Sequence, residues 1–252
     1  MKKFALKIQY DGSAFNGWQI QKNARTVQDQ IEQALARIIK HRVGIIGSGR
    51  TDAGVHALSQ YAHFEYNGRM NCDQITRALN SKLPRDINIL ETSLVNKEFH
   101  ARYSALGRSY RYVITRTYSP FTRNYKTFLP LYDPDPKKLN DLAHSLIGQH
   151  DFTSFARFNP DNVSTLCDIR ICSFDQNNNA DVIFQIKADH FLHNMVRRLV
   201  GTMLTLCRED LDLSFFRKML DLKDPRQKYI YTAPPQGLYL VEVEYPRHLF
   251  IE

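Results

Sequence analysis

The sequence predicts an α+β protein made of two similar halves. Residues 4–10 alternate apolar and polar side chains with the period of a β-strand, whereas residues 27–39 repeat apolar side chains with helical spacing. Strands and helices interleave in this manner twice, with a linker expected over residues 101–108. We therefore expect one α/β half at residues 1–104 and another at residues 105–252, and the two halves could share one sheet.

The remaining elements follow from the same two periodicities. In the first half, strands are expected over residues 4–10, 58–66 and 87–93, and helices over residues 27–39 and 73–83. In the second half, strands are expected over residues 109–115, 182–188 and 238–245, and helices over residues 136–147, 191–207 and 211–222. Thr26 is the expected N-cap residue of the first helix, because its hydroxyl can accept a hydrogen bond from the first turn.

Composition and charge point to a polyanionic partner. The chain has 252 residues, of which 43% are hydrophobic, so it can bury a sizeable core. The net charge is +8 and the pI is about 9.3, and residues 1–104 hold +6 of this charge. A basic excess of this kind suits binding to a polyanion such as RNA.

The cysteines argue against a metal site. Cys72, Cys167, Cys172 and Cys207 have neither a C-x-x-C spacing nor a nearby histidine in a zinc pattern, so we expect all four to be packing residues. The N-terminus does not resemble a signal peptide and no long apolar run is present. These features predict a reduced, cytoplasmic protein without a membrane anchor or a metal.

The most informative segment is the string G-R-T-D-A-G-V-H at residues 49–56. Its glycines indicate a tight turn, and Arg50 favours the ionised form of the neighbouring Asp52 carboxyl. Two interpretations remain open from local composition. The two side chains could form an ordinary ion pair in a turn, or Asp52 could be the anionic nucleophile or base of an active site.

Tyr110 and Tyr112 lie on the strand that opens the second half. Alternation places both tyrosines on one face of the strand and Arg111 on the other. Both rings could be core residues. Alternatively, a tyrosine ring could stack on a base and offer its hydroxyl for proton transfer.

A polar stripe is predicted on the helix over residues 191–207. His190, His193 and Arg197 follow one another at spacings of three and four. The stripe could be a solvated face, or Arg197 could be directed at a buried carboxylate or a phosphate. Its positive charge disfavours a metal site.

Aromatic and basic residues alternate in two further segments, residues 99–103 and 116–126. This mixture fits phosphate neutralisation combined with stacking on RNA bases, but a loop over an apolar core would have a similar composition. Trp18, the only tryptophan, is expected to anchor a loop rather than to contact a base.

Taken together, these motifs resemble the tRNA pseudouridine synthase A family, in order and over nearly the whole chain. Beside residues 49–56, the resemblance rests on the motifs at residues 10–12, 17–19, 99–102, 110–112, 151–155, 193–197 and 237–240. The eight-residue string at 49–56 is highly specific by itself.

The resemblance implies an activity and a set of site residues. The family isomerises uridine to pseudouridine at positions 38, 39 and 40 of the tRNA anticodon stem-loop, as a homodimer without a cofactor or metal. Its catalytic residues fall on Asp52 as the nucleophile, Tyr110 and Arg197. Substrate binding is expected to involve Arg50, Tyr110, Arg102 and His193. The sequence leaves open whether Asp52 attacks C6 of the base or acts at C1′.

The resemblance also implies the fold, a pseudouridine-synthase-like arrangement of two similar halves. They share a mixed, largely antiparallel sheet with helices packed on it and a central active-site cleft. One departure concerns residues 156–172, where the loop at 159–164 is neutral to acidic rather than basic. We expect this loop to affect contact with tRNA and the preference among the three target positions.

The sequence is compatible with two alternative functions. The chain could be a catalytically silent RNA-binding module, although such a module has no need of a buried aspartate. It could also be a hydrolase that uses Asp52 and His56, but no second carboxylate or metal-ligand set stands at a suitable spacing.

Overall fold

The computed structural model describes residues 1–130, 134–157, 164–177 and 181–251. The strands of these residues are β1 (Lys2–Tyr10), β2 (Ile46–Gly47), β3 (His56–Tyr66), β4 (Ile87–Val95), β5 (Gly107–Thr115), β6 (Thr127–Phe128), β7 (Gly148–Asp151), β8 (Leu166–Gln176), β9 (Val182–Ala188) and β10 (Leu238–Glu244). The α-helices are α1 (Val27–Ile39), α2 (Cys72–Asn80), α3 (Pro136–His144), α4 (Met195–Arg208) and α5 (Leu213–Asp221).

The chain folds into two compact units. The first joins residues 1–107 with residues 239–252, and the second spans residues 108–238. The C-terminal segment therefore packs with the first unit, whereas the halves predicted in chain order place it with the second.

Backbone and side-chain contacts hold this segment in the first unit. Tyr239 of β10 pairs in parallel with His56 of β3, and the Tyr245 hydroxyl donates to the Ala101 carbonyl at 2.5 Å. Leu249 is buried in an apolar cluster of the same unit. A partition by chain order misses such a return, because strand pairing joins residues that are remote in sequence.

The sheet of the first unit has the strand order β4-β1-β3-β10, and β2 also pairs with β3. β1 runs antiparallel to both of its neighbours, so that Phe4 faces Phe64 on one side and Leu94 on the other. With β10 parallel to β3, this sheet is mixed and largely antiparallel, as expected.

The two helices of the first unit begin in different ways. α1 starts after Thr26, as predicted, but the Thr26 side chain makes no capping bond and its buried Oγ1 has no hydrogen-bond partner. α2 has a capping box, in which the Asn71 and Gln74 side chains each accept the other residue's backbone N–H at 2.9 Å. α1 buries Ile31 and Leu35 on one face, and α2 packs on β4.

The sheet of the second unit has the strand order β5-β9-β8-β7, with β6 parallel to the end of β5. The other pairs are antiparallel, and Tyr110 of β5 lies opposite Ile186 of β9. β8 has an irregularity between Ile169 and Ile171, where its pairing with β9 shifts register. Both units therefore combine a sheet with packed helices, which confirms the predicted α+β class.

α4 begins later than predicted. The helix starts at Met195, and the preceding Asn194 adopts a left-handed conformation with φ of 61°. His190 and His193 thus lie outside the helix, and the predicted polar stripe that joins them to Arg197 is wrong. Phe191 and Leu192 look helical in sequence because they extend the apolar repeat of α4 by one turn.

The cysteines of the described residues are all free thiols. Cys167 and Cys172 are buried, as expected of packing residues, while Cys72 and Cys207 are half-buried. Burial raises the pKa of the Cys167 thiol to about 12, which keeps it protonated and unreactive.

Candidate active site

Asp52 lies in a tight turn between β2 and β3. The turn is closed by a hydrogen bond from the Val55 N–H to the Asp52 carbonyl at 3.2 Å, and Gly54 has a positive φ of 78°. The Asp52 side chain is half-buried, whereas the preceding Thr51 is buried. The Thr51 hydroxyl lies 2.8 Å from the Tyr10 hydroxyl, at the end of β1. The turn is therefore fixed on both sides of the carboxylate.

The loop after β1 packs directly on the Asp52 turn. The Trp18 N–H donates to the Thr51 carbonyl at 3.1 Å, and the Gly54 N–H donates to the Phe15 carbonyl at 3.2 Å. Gly17 has a φ of 90°, and a Cβ at this position would lie 2.5 Å from the Thr51 carbonyl oxygen. Trp18 is buried, which confirms its predicted role as a loop anchor.

His56, the first residue of β3, connects the Asp52 turn to the loop after β1. The Gly12 N–H donates to His56 Nδ1 at 3.1 Å, and Asp11 Oδ1 lies 3.2 Å from that nitrogen. The buried imidazole stacks on the Tyr239 ring with 4.8 Å between centroids. Gly12 cannot carry a side chain, because a Cβ there would collide with the Val55 carbonyl.

The motifs at residues 10–12 and 237–240 contribute to the family resemblance, but the sequence alone assigns them no role. The structure shows that both hold the Asp52 turn, through the Tyr10 hydroxyl and the Tyr239 ring respectively. Their signal in the sequence was the pairing of a tyrosine with a glycine close to a strand end.

Arg50 and Arg102 are exposed side chains of the first unit. The Arg102 guanidinium lies 5.6 Å from the centroid of the Tyr103 ring, and the Arg102 N–H donates to His100 Nδ1 at 3.2 Å. The buried His63 supports this segment, because its Nδ1 accepts the Ala101 N–H at 3.1 Å. Both arginine side chains are therefore accessible to a phosphate group of a bound partner.

In the second unit, Tyr110 and Tyr112 have different environments. Tyr110 is half-buried and meets the edge of the Phe191 ring at a centroid distance of 5.1 Å. Tyr112 is fully buried, and its hydroxyl donates to the Pro234 carbonyl at 2.8 Å and bonds with Thr127 Oγ1 at 2.6 Å. Burial raises the pKa of Tyr112, so this ring is the core residue of the pair.

Arg197 on α4 is oriented by the segment that precedes β10. Its Nε donates to the Ala233 carbonyl at 2.7 Å, and the Ala233 N–H donates to the Arg197 carbonyl at 3.0 Å. The next residue, Pro234, accepts the Tyr112 hydroxyl. The same short segment therefore links the strand of Tyr110 to the helix of Arg197.

His193 precedes α4 and is exposed, with its carbonyl accepting the Arg157 N–H at 2.9 Å. The first unit thus holds Asp52, Arg50 and Arg102, and the second holds Tyr110, Arg197 and His193. Most of the atypical loop, residues 159–163, lies outside the described residues.

A comparison with family models bears on what these residues do. A model described as tRNA pseudouridine synthase matches residues 7–104 and 142–246. The chain belongs to this family. The match spans most of both units, and it includes Asp52 and Arg197. It confirms the resemblance seen in the sequence motifs.

Relatives of the same family match along the full length of the chain. A tRNA pseudouridine synthase A of Bacteroides fragilis is 38% identical over 252 residues, covering 99% of each chain. One of Lacticaseibacillus casei is 40% identical over 251 residues, covering 97% of this chain and 100% of the relative. One of Exiguobacterium sibiricum is 40% identical over 250 residues, covering 98% of each chain.

Membership in the tRNA pseudouridine synthase family confirms the predicted enzyme class, an isomerase that acts on tRNA. In the part of the chain that the structure describes, no helix is both long enough and apolar enough to cross a membrane.

Proposed function

We propose that this protein isomerises uridine to pseudouridine at positions 38, 39 and 40 in the anticodon stem-loop of tRNA, with Asp52 as the nucleophile. The first half, residues 1–104, supplies the carboxylate. The second half, residues 105–252, supplies Tyr110 and Arg197. We further propose that it acts in the cytoplasm as a homodimer and without a cofactor.

The observation that carries this proposal is the way in which the Asp52 turn is held. Three hydrogen bonds, which join Thr51 to Tyr10 and to Trp18 and Gly54 to Phe15, hold the turn that carries the half-buried Asp52. A turn of that rigidity is unnecessary for a surface ion pair. It is what pre-organised chemistry at a carboxylate requires.

Pseudouridine formation breaks the C1′–N1 bond and makes a C1′–C5 bond within one nucleotide. The target base must first leave its stack, at a cost of roughly a few kcal/mol. Stacking on an aromatic ring such as Tyr110 offsets part of this cost, by about 1–3 kcal/mol per base. The C5 proton must then be removed, and the Tyr110 hydroxyl is our candidate for that step.

Arg197 is proposed to pair with the Asp52 carboxylate and so keep it charged. Its Nε bond to the Ala233 carbonyl fixes the plane of the guanidinium, which leaves the terminal nitrogens with a defined direction. Arg50, Arg102 and His193 are proposed to bind tRNA, and their exposure supports that role.

The hydrolase alternative finds no support at His56. A general base must reach the substrate, but this imidazole is buried and its Nδ1 accepts a backbone N–H. The silent RNA-binding module remains the alternative to exclude by experiment.

Release of tritium from C5-labelled uridine in tRNA tests the proposal. We expect release by the native chain and none by Asp52→Asn, which should bind tRNA within several-fold of the native affinity. Turnover by Asp52→Asn would remove Asp52 from its role. Binding without release by the native chain would favour the silent module.

A further inference from the structure

The connection between β5 and β6 presents an unusual surface. It belongs to the segment of residues 116–128, which contains no aspartate or glutamate but includes Arg116, Arg123 and Lys126. Six aromatic side chains are exposed among the described residues, and four of them lie in this segment. They are Tyr118, Phe121, Tyr125 and Phe128.

The 116–128 segment is held in shape by hydrogen bonds within the loop. The Thr122 N–H donates to the Ser119 carbonyl at 3.2 Å, and the Lys126 N–H donates to the Thr122 carbonyl at 3.0 Å. Arg123 Nη1 donates to the Pro120 carbonyl at 2.6 Å. These bonds close two successive turns, so the loop holds its shape without the rings being packed.

The ends of the loop are held together in the second unit, where Thr115 of β5 pairs with Phe128 of β6. Lys126 Nζ forms an ion pair with the largely buried Asp181 carboxylate at 2.6 Å. The Tyr118 ring meets the Phe128 ring edge-on with 5.5 Å between centroids. Phe121 lies at the tip between these anchors, and 88% of its surface is exposed. A phenylalanine side chain exposed on this loop buries almost no apolar surface and therefore does not stabilise the fold.

We infer that the 116–128 segment is a second RNA-contacting surface, on which Phe121 stacks with an unpaired base of tRNA while Arg116 and Arg123 lie beside phosphates. The inference rests on the proposed function, because it takes tRNA as the substrate and adds a contact away from the target nucleotide. An exposed ring with flanking arginines is the combination that single-stranded RNA requires.

Charge decides between RNA and a second copy of the chain. Aromatic and arginine side chains also occur in protein interfaces. The charged residues within the 116–128 segment are all basic, however, with Lys126 paired to Asp181 outside it, and the chain as a whole carries a net charge of +8. A phosphate backbone complements such a surface, whereas the same segment of a second copy would bring like charges together.

The first experiment measures tRNA affinity with ring variants of the full chain. For Phe121→Ala we expect the Kd for a full-length tRNA transcript to rise about tenfold, because one base loses its stacking partner. Phe121→Trp should bind as the native chain does, whereas Phe121→Leu, which keeps an apolar side chain, should remain weak. Leu222→Ala, at an apolar position of the same unit that is 65% exposed, serves as the matched control.

Tritium release at saturating enzyme separates the effect of Phe121 on tRNA binding from any effect on catalysis. All Phe121 variants should convert bound tRNA within about twofold of the native rate. If the native chain releases no tritium, the proposed function fails, and the Kd comparison still decides whether the surface binds RNA. If the native chain is active and Phe121→Ala binds normally, the second surface is wrong.

Salt dependence tests the arginines. Arg116→Gln and Arg123→Gln should each lower the slope of log Kd against log salt concentration by about 0.7–0.9, whereas Phe121→Ala should leave that slope unchanged. Arg208→Gln, at an exposed arginine of the same unit, is the charge control. Native tRNA affinity in Phe121→Leu would show that an apolar contact, as with another protein chain, replaces base stacking. A change in the sedimentation mass of the free protein in Phe121→Ala would likewise assign the surface to another protein chain.

Discussion

At the scale of single residues, the Tyr10 hydroxyl forms a hydrogen bond with the side chain of Thr51, the residue that precedes Asp52. We expect Tyr10→Phe to slow pseudouridine formation several-fold at saturating tRNA, because the turn loses a fixed point and the carboxylate can drift. Loss of a buried hydrogen bond also costs about 1 kcal/mol of unfolding free energy. Single-turnover tritium release and urea unfolding measure the two effects.

Thr76→Val is the matched control for this prediction. It removes the hydroxyl bond between Thr76 and Thr92 at 2.7 Å, in the same unit but outside the Asp52 turn. Its stability loss should equal that of Tyr10→Phe, and its rate should stay native. Equal rates for the two variants would show that the Tyr10 hydroxyl serves only folding.

Arg197 tests whether a guanidinium is required. Arg197 holds the Ala233 carbonyl with Nε and has two further nitrogens for the carboxylate role proposed above, whereas lysine carries all its donors on one nitrogen. We expect Arg197→Lys to lower the single-turnover rate by about ten- to a hundredfold, since hydrogen bonds to charged groups contribute about 1.5–3 kcal/mol.

The neighbouring Arg198 provides the comparison. It donates to the Ala156 and Pro225 carbonyls at 2.6 Å each, so Arg198→Lys should lower the free energy of unfolding and spare the rate. A native rate for Arg197→Lys would make Arg197 a structural residue of the same kind.

At the scale of elements, substitutions at the N-caps of α1 and α2 should change the free energy of unfolding in different directions. Asn71→Ala breaks the capping box of α2 and should lower the free energy of unfolding by about 1 kcal/mol. Thr26→Val at the start of α1 removes a buried hydroxyl without a hydrogen-bond partner, and should leave stability unchanged or raise it by about 1 kcal/mol. Urea unfolding of both variants is the measurement, and a loss for Thr26→Val would show that its hydroxyl is hydrated.

Elements with an unbroken period could be predicted from the sequence. α1 and β9 have the predicted bounds, because one face of each is continuously apolar. β8 could not be predicted, since the irregularity at Ile169 and Ile171 moves the buried positions from 167 and 169 to 172 and 174. A shift of that kind destroys the period of two that marks a strand.

The site shows the same division. Motif residues such as Asp52 could be found because their order along the chain is specific. The support from Tyr239 could not be predicted, because it depends on β10 returning to pair with β3. Long-range pairings of this sort leave no local pattern in the sequence.

At the scale of the whole molecule, His63 links stability to pH. Burial lowers the pKa of His63 to about 4, with His100 and Lys3 adding to the effect. An unfolded histidine titrates near 6.5, so the unfolded chain binds the proton more readily between these values. The free energy of unfolding should therefore fall as the pH decreases from about 6.5 to 4.

Urea unfolding at several pH values between 4.5 and 7.5 measures this dependence. His63→Gln should show a shallower fall than the native chain, while the exposed His248→Gln should reproduce the native slope. An unchanged slope in His63→Gln would assign the acid sensitivity to other groups.

The return of residues 239–252 to the first unit has a consequence for biosynthesis. The second unit is complete once residue 238 has left the ribosome, although its synthesis starts later. The unit that bears the carboxylate must wait for the segment after residue 238, because Tyr239, Tyr245 and Leu249 contribute contacts to it. A nascent chain stalled at residue 238 would hold a finished second unit and an unfinished first one, so the unit whose synthesis begins first is the one completed last.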